Sequence, residues 1–179
     1  MAGAMGSHHS ARADTVTWLT PPHVVSALGE FDLDPCAAPG WATAKRHIIQ
    51  PRCGMMSDWH GRIWLNPPYK TKKDEPCPGM CPPGTHGNDA WDWLNKLAAH
   101  GQGTALIFAR TETAGFVEQV WNKATAVKFL HGRLHFHYPD GTRAAANSGA
   151  PSVLVAYGPN DAAQLATSDL DGTYLRIRE

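Results

Sequence analysis

Apolar positions along the chain switch repeatedly between helical and strand spacing. Val24, Val25, Ala27 and Leu28 recur at helical spacing behind Thr20 and Pro21, which read as N-cap and first helical residue, and Gly29 stops the run. Trp18 and Leu19 stand just before the cap, placed to pack back on the helix. Phe31-Asp32-Leu33-Asp34 predicts a short strand ended by Pro35. The small residues Cys36-Ala37-Ala38-Pro39-Gly40 then form a loop that a ligand can approach closely. Ala42 to Arg46 predicts a brief helical turn, His47-Ile48-Ile49 a second strand, and Cys53 to His60 a connector. Ile63-Trp64-Leu65 predicts a buried strand, which Pro67 and Pro68 end because neither donates to a sheet ladder.

Lys70 to Asn88 is rich in Pro and Gly and has no apolar period, so it reads as a long loop. Asp89 opens a helix with Trp93, Leu94, Leu97 and Ala98 on one face and Gly101 as its stop. The continuous run Thr104 to Ala109 predicts a central strand buried on both faces, and a helix follows around Gly115 to Trp121. Ala126 to Leu130 and Arg133 to His137 flank His131-Gly132 like the arms of a hairpin, Pro139-Asp140-Gly141 is a turn, and Ser152 to Tyr157 is another strand. Strand and helix alternate first and strands dominate later. The predicted class is therefore α/β in three layers, a mostly parallel sheet with an antiparallel C-terminal hairpin.

Length and composition narrow this little. With 179 residues and 42% hydrophobic content the chain supports one core, so residues 14–179 are expected to form a single domain carrying the 70–88 loop. Residues 1–13 are expected to be a mobile segment, and Met1 to Ser7 has the small-residue look of a cloning remnant, although native sequence reads the same way. Sixteen basic and sixteen acidic residues exclude a global basic field but not a basic cleft. Lys70, Lys72, Arg110 and Arg133 gather near the predicted ligand-binding loops, where a plain solvated surface is the reading of any single one and contact with a nucleic acid the alternative. No stretch approaches the ~20 apolar residues of a membrane span. Four cysteines do not make a disulfide scaffold, which fits a reducing cytoplasm.

The chemistry concentrates in Asn66-Pro67-Pro68-Tyr69, presented on a stiff loop at the carboxyl end of a strand. The N6 amine of adenine is a poor nucleophile because its lone pair is delocalised into the ring. Acceptors aimed at its two N–H groups, the Asn66 side-chain oxygen and the Pro67 carbonyl, would localise that lone pair as the transition state forms. Tyr69 offers an aromatic face to a base taken out of its stack.

With these residues in place the chain resembles the phage-type Dam-like DNA N6-adenine methyltransferases. Trp18-Leu19-Thr20-Pro21-Pro22, Phe31 to Ala37, Asp58-Trp59 with Gly61, Trp64 to Tyr69 and Gly132-Arg133-Leu134-His135-Phe136 come in the family's order, from about Trp18 to Tyr157. The resemblance implies a Rossmann-like fold, S-adenosylmethionine as methyl donor and double-stranded DNA as substrate. It implies cofactor contacts at Trp18, Thr20, Pro21, Asp34, Pro35, Cys36, Ala37 and Asp58. It also implies a catalytic, base-holding role for Asn66, Pro67, Pro68 and Tyr69. The chain departs from many relatives in lacking a Gly-x-Gly cofactor loop and an acidic residue after His47-Ile48-Ile49-Gln50, which leaves the cofactor ribose without an assigned partner.

Other readings stand beside this one. The same turn suits methylation of a protein glutamine or an RNA guanine, and the thin glycine loop suits a nucleic-acid-binding module without catalysis. Cys77, Cys81 and His86 pose a zinc site, but structural zinc takes four ligands, and Cys53 or His60 would have to arrive from elsewhere. The plain alternative is a loop with two thiols and no metal. His135 and His137 read as hydrogen-bonded strand residues rather than ligands.

Overall fold

A computed structural model describes residues 17–68, 81, 86 and 89–179. Among them, the strands are β1 (Leu33–Asp34), β2 (Arg46–His47), β3 (Ile63–Leu65), β4 (Gly103–Phe108), β5 (Ala126–Leu130), β6 (Ser152–Tyr157) and β7 (Gly172–Arg176). They form one sheet in the order β2-β1-β3-β4-β6-β5-β7. The neighbours from β2 to β4 are parallel, whereas β6 runs antiparallel to both β4 and β5, and β7 antiparallel to β5.

The helices are α1 (Pro22–Ser26), α2 (Ala90–His100), α3 (Ala114–Phe116), which continues as a π-helical turn over Val117–Trp121, and α4 (Pro159–Thr167). Side-chain alternation along the strands sorts them into layers. Ile63, Leu65, Ala105, Ile107, Val153 and Val155 pack with Trp93, Leu94 and Leu97 of α2 and with Phe116 and Val120. Trp64, Leu106, Leu154 and Ala156 point the other way, onto Val24 and Val25 of α1, Leu28 beyond it, and Ala162 and Leu165 of α4. The three predicted layers are present. No helix among the described residues is long and apolar enough to cross a membrane.

Several local expectations change, each for a visible reason. The first helix starts at Pro22 with Pro21 as its extended N-cap (ψ 133°), because a residue that precedes proline is pushed out of the helical region. Thr20 therefore does not cap; it is buried and its carbonyl accepts from Trp41 Nε1 at 2.9 Å. Residues 42–46 do not form a helical turn. The amides of Lys45 and Arg46 already pair with the carbonyls of Phe31 and Asp32, so the chain runs extended beside β1 and β2 begins earlier than expected.

The antiparallel half is not the expected hairpin. Arg133 to His137 contributes only isolated bridges, Leu19 to His137 and His137 to Arg143, while the edges of β5 are taken by the wholly buried β6 and by β7. Arg133, His135 and His137 instead hold carbonyls of the loop that follows, at Ser148, Ala144 and Gly141. The helix at Asp89 matches expectation closely. Asp89 accepts from the amides of Trp91 and Asp92 in a reciprocal capping box, and Gly101 closes the helix at φ 78°.

Candidate functional site

The chain leaves β1 toward β2 on one side and returns as β3 on the other. Such a reversal opens a crevice beyond the carboxyl ends of the two central strands, where open α/β sheets hold ligands. Asp34 closes β1 and Asn66 follows β3, so the two flank the crevice. A cavity of about 450 Å³ fills it, with Trp18, Thr20, Cys36, Trp41, Gln50 and Asn66 on its wall.

Asn66 is held in one orientation. Its Nδ2 donates to the Trp18 carbonyl at 3.1 Å, and a backbone carbonyl can only accept, so the amide oxygen must face the other way. That oxygen is buried and has no hydrogen-bond partner among the described residues. The Asn66 carbonyl is also engaged, since the Cys36 thiol donates to it at 3.2 Å and joins the loop after β1 to the turn after β3. Burial first, and the Asp34 carboxylate second, push the Cys36 thiol well above its usual range, so it stays protonated and acts as a donor.

Asp34 is buried, and its carboxylate accepts from the Cys36 amide at 3.0 Å and from the Thr43 hydroxyl. Burial raises its pKa, and those two hydrogen bonds pull it partly back. Thr43 is set in place from below, because the amides of Thr43 and Ala44 both donate to His47 Nε2, at 3.2 and 3.3 Å. Trp41 packs against His137 (ring centroids 5.2 Å apart), while Trp18 packs against Tyr138 (5.4 Å). The 131–151 loop thus braces two aromatic members of the wall.

On the far side of the cavity the 53–58 loop is pinned by α2. Lys96 Nζ donates to the carbonyls of Met55, Ser57 and Gly54 at 2.6, 2.7 and 3.3 Å and lies over the Trp59 ring. Burial lowers its pKa, with Cys53 and Asp58 acting against that shift. Gly54 is where this loop touches the loop after β1: a Cβ there would stand 1.9 Å from the Pro35 carbonyl oxygen.

Of the residues singled out from sequence, Trp18, Thr20, Asp34, Pro35, Cys36, Ala37, Asn66, Pro67 and Pro68 meet on the cavity wall. Pro21 is buried behind it, and Asp58 is exposed and does not line it. Arg110 and Arg133 are exposed beyond the ends of β4 and β5, which point the same way as β3. Tyr69, Lys70, Lys72 and Cys77 lie outside the described residues. Cys81 and His86 come together with Cys53. Sequence reading missed Trp41, Thr43, His47 and Gln50. An aromatic residue just after Gly40 was a usable signal for Trp41, but Thr43 and His47 act through a fold-dependent contact that no spacing announces.

A family model described as DNA N-6-adenine-methyltransferase (Dam) matches residues 7–171. No curated protein and no solved structure matches the chain.

Proposed function

Because the chain belongs to the DNA N-6-adenine-methyltransferase (Dam) family, and is a DNA N6-adenine methyltransferase, we propose that the crevice between Asp34 and Asn66 binds S-adenosylmethionine and that the Asn66-Pro67-Pro68-Tyr69 turn holds the target adenine. The observation that carries this reading is Asn66 on the cavity wall, with its Nδ2 held by Trp18 and its buried Oδ1 without a hydrogen-bond partner among the described residues. A buried acceptor without a donor is unfavourable unless a ligand supplies one. The sheet order with its crossover at β1 and β3 supports a Rossmann-like arrangement, here as one domain over residues 14–179.

The cavity suits the donor in size, about 450 Å³ against the roughly 300–1,000 Å³ common for small-molecule sites. Trp18 and Trp41 give it apolar walls. Asp34, bonded through Cys36 and Thr43, fixes the backbone of the loop that approaches the cofactor. Gln50 follows β2 and lines the cavity, in the neighbourhood where a carboxylate was missed, and its carboxamide takes the ribose hydroxyls. Asp58 is less well placed for a cofactor contact than its motif implied.

When bound, the cofactor supplies an electrophilic methyl group on sulfur. Asn66 Oδ1 and the Pro67 carbonyl accept the two N6 hydrogens of a flipped adenine and localise the nitrogen lone pair toward that methyl. Tyr69 stacks on the base. Once methylated, the cationic nitrogen loses a proton to solvent, so no general base is needed. Arg110 and Arg133, with Lys70 and Lys72, contact phosphates of double-stranded DNA and set its register.

Titration of the full chain with S-adenosylmethionine tests the cofactor half of this proposal. One site is expected, and Gln50→Ala should weaken it by about 3- to 10-fold, the value of one neutral hydrogen bond. Binding left untouched by Gln50→Ala would remove Gln50 from the site. Absence of binding would remove S-adenosylmethionine from the cavity.

A further inference from the structure

Cys53, Cys81 and His86 each offer one ligand atom, and the three atoms lie within 4.8 Å of one another. Cys53 Sγ stands 3.2 Å from His86 Nε2. In tetrahedral zinc sites, with Zn–S about 2.3 Å and Zn–N about 2.0 Å, such a pair stands about 3.5 Å apart. A shift of a few tenths of an ångström brings that pair to coordination distance, and the Cys81 ligand atom, within 4.8 Å of the other two, closes in by up to roughly 1 Å. All three residues are half-buried.

We propose that Cys53, Cys81 and His86 bind a structural zinc ion that ties Cys81 and His86 to the Cys53 loop on the wall of the donor cavity. The site is independent of how methyl transfer proceeds. Its donors are two soft thiolates and an imidazole, a set that favours zinc over the oxygen-seeking magnesium or calcium. Two thiols release their protons to solvent on binding, leaving a neutral Zn(II)–dithiolate–imidazole set, and a fourth ligand closes the tetrahedron.

Half of the site is already rigid. The Cys53 carbonyl accepts from the amide and hydroxyl of Ser57 at 3.1 and 2.8 Å. The next carbonyl, of Gly54, accepts from Trp59 Nε1 at 2.8 Å and from Lys96 Nζ. Cys53 is thus presented by a loop that needs no metal for its shape. The partner segment is different: Cys81 and His86 bracket Pro82-Pro83-Gly84-Thr85, which has no apolar residue to bury. Coordination supplies the fastening that hydrophobic burial does not. Because Cys53 and Gly54 also line the cavity, the ion would couple the positions of Cys81 and His86 to the shape of the cofactor wall.

The test uses the full chain purified under reducing conditions without added metal. Elemental analysis should find about one zinc per chain. Cobalt(II) in its place should give visible bands of tetrahedral coordination with thiolate charge transfer. Both should be lost in Cys53→Ser, Cys81→Ser and His86→Ala and kept in His23→Ala. Should the cysteine variants misfold, the unaltered protein still decides. Zinc should shield Cys53 and Cys81 from alkylation mapped by mass spectrometry, and chelation should release both together while leaving the modification of Cys36 unchanged. Three results would overturn the proposal: no bound zinc and no cobalt spectrum, a Cys53–Cys81 disulfide in place of metal, or metal retained in all three variants. The last would assign it to adventitious binding, for instance at His8-His9.

Discussion

The Asn66 amide is fixed through its nitrogen and available through its oxygen, and these two roles separate in a variant. Asn66→Ala removes the acceptor offered to adenine N6, so kcat should fall by about 10²–10³-fold, the usual effect of losing one preorganised transition-state group. It also frees the Trp18 carbonyl, so affinity for the cofactor should change only a few-fold, by one hydrogen bond. Steady-state kinetics beside cofactor titration separates the two, and a parallel collapse of both would contradict the assignment. Asp34 carries a prediction in pH. Its pKa is raised in the folded state, so between the ordinary carboxylate value of 3.8 and the raised value the folded chain binds more protons than the unfolded one. Its contribution to stability therefore falls as pH rises through that window, and Asp34→Asn should remove this slope from a chemical-denaturation series. An unchanged slope would show that other carboxyls produce it. Asn66 was legible from its motif, but its fixed orientation was not, because the Trp18 carbonyl that fixes it lies 48 residues away in sequence.

At the scale of elements, one buried ion pair holds α4 to the sheet. Arg62 donates to Asp161 at 2.9 Å and to the carbonyls of Leu28 and Glu30, and its guanidinium lies 4.1 Å from the centre of the Phe31 ring. Asp161 is fully buried and also accepts from Thr104. Asp161→Ala should lower stability by about 3–5 kcal/mol, since it strands a largely buried guanidinium. A loss below about 1 kcal/mol, in the range of exposed pairs, would show the pair to be solvated. Gly54 makes a second test: any side chain there meets the Pro35 carbonyl, so Gly54→Ala should separate the two loops and weaken cofactor binding together with thermal stability. Neither contact could be read from the sequence, because both join segments distant along the chain. What could be read were elements whose signal is local, such as the Asp89 cap with the Gly101 stop, and the apolar runs of β3, β4 and β6. The Arg133–His137 strand failed because a short apolar alternation competed with wholly buried β6 for the same edge, and lost.

For the molecule as a whole, the described residues proposed to act lie at one end of the sheet. The described residues that follow β1, β3, β4 and β5 gather there, and Ala109 after β4 pairs with Pro151 before β6, which runs the opposite way. The chain's net charge is zero, so DNA affinity must come from charges at that end rather than from a global field. Affinity for duplex DNA should fall linearly on a log–log plot against salt, and Arg110→Ala should reduce the slope by about one. A slope unchanged by that variant would place Arg110 off the phosphates. The α/β class and three layers were legible in the order of apolar periods. The extent of the antiparallel half was not, because α4 and β7 follow the last segment with a clear pattern. The measurement that tests the account most directly is transfer of a labelled methyl group from S-adenosylmethionine to unmethylated duplex DNA, with the product digested to nucleosides and Asn66→Ala run alongside. The account predicts label in N6-methyladenine, nearly absent with the variant. Label in any other base, or equal label from the variant, would contradict it.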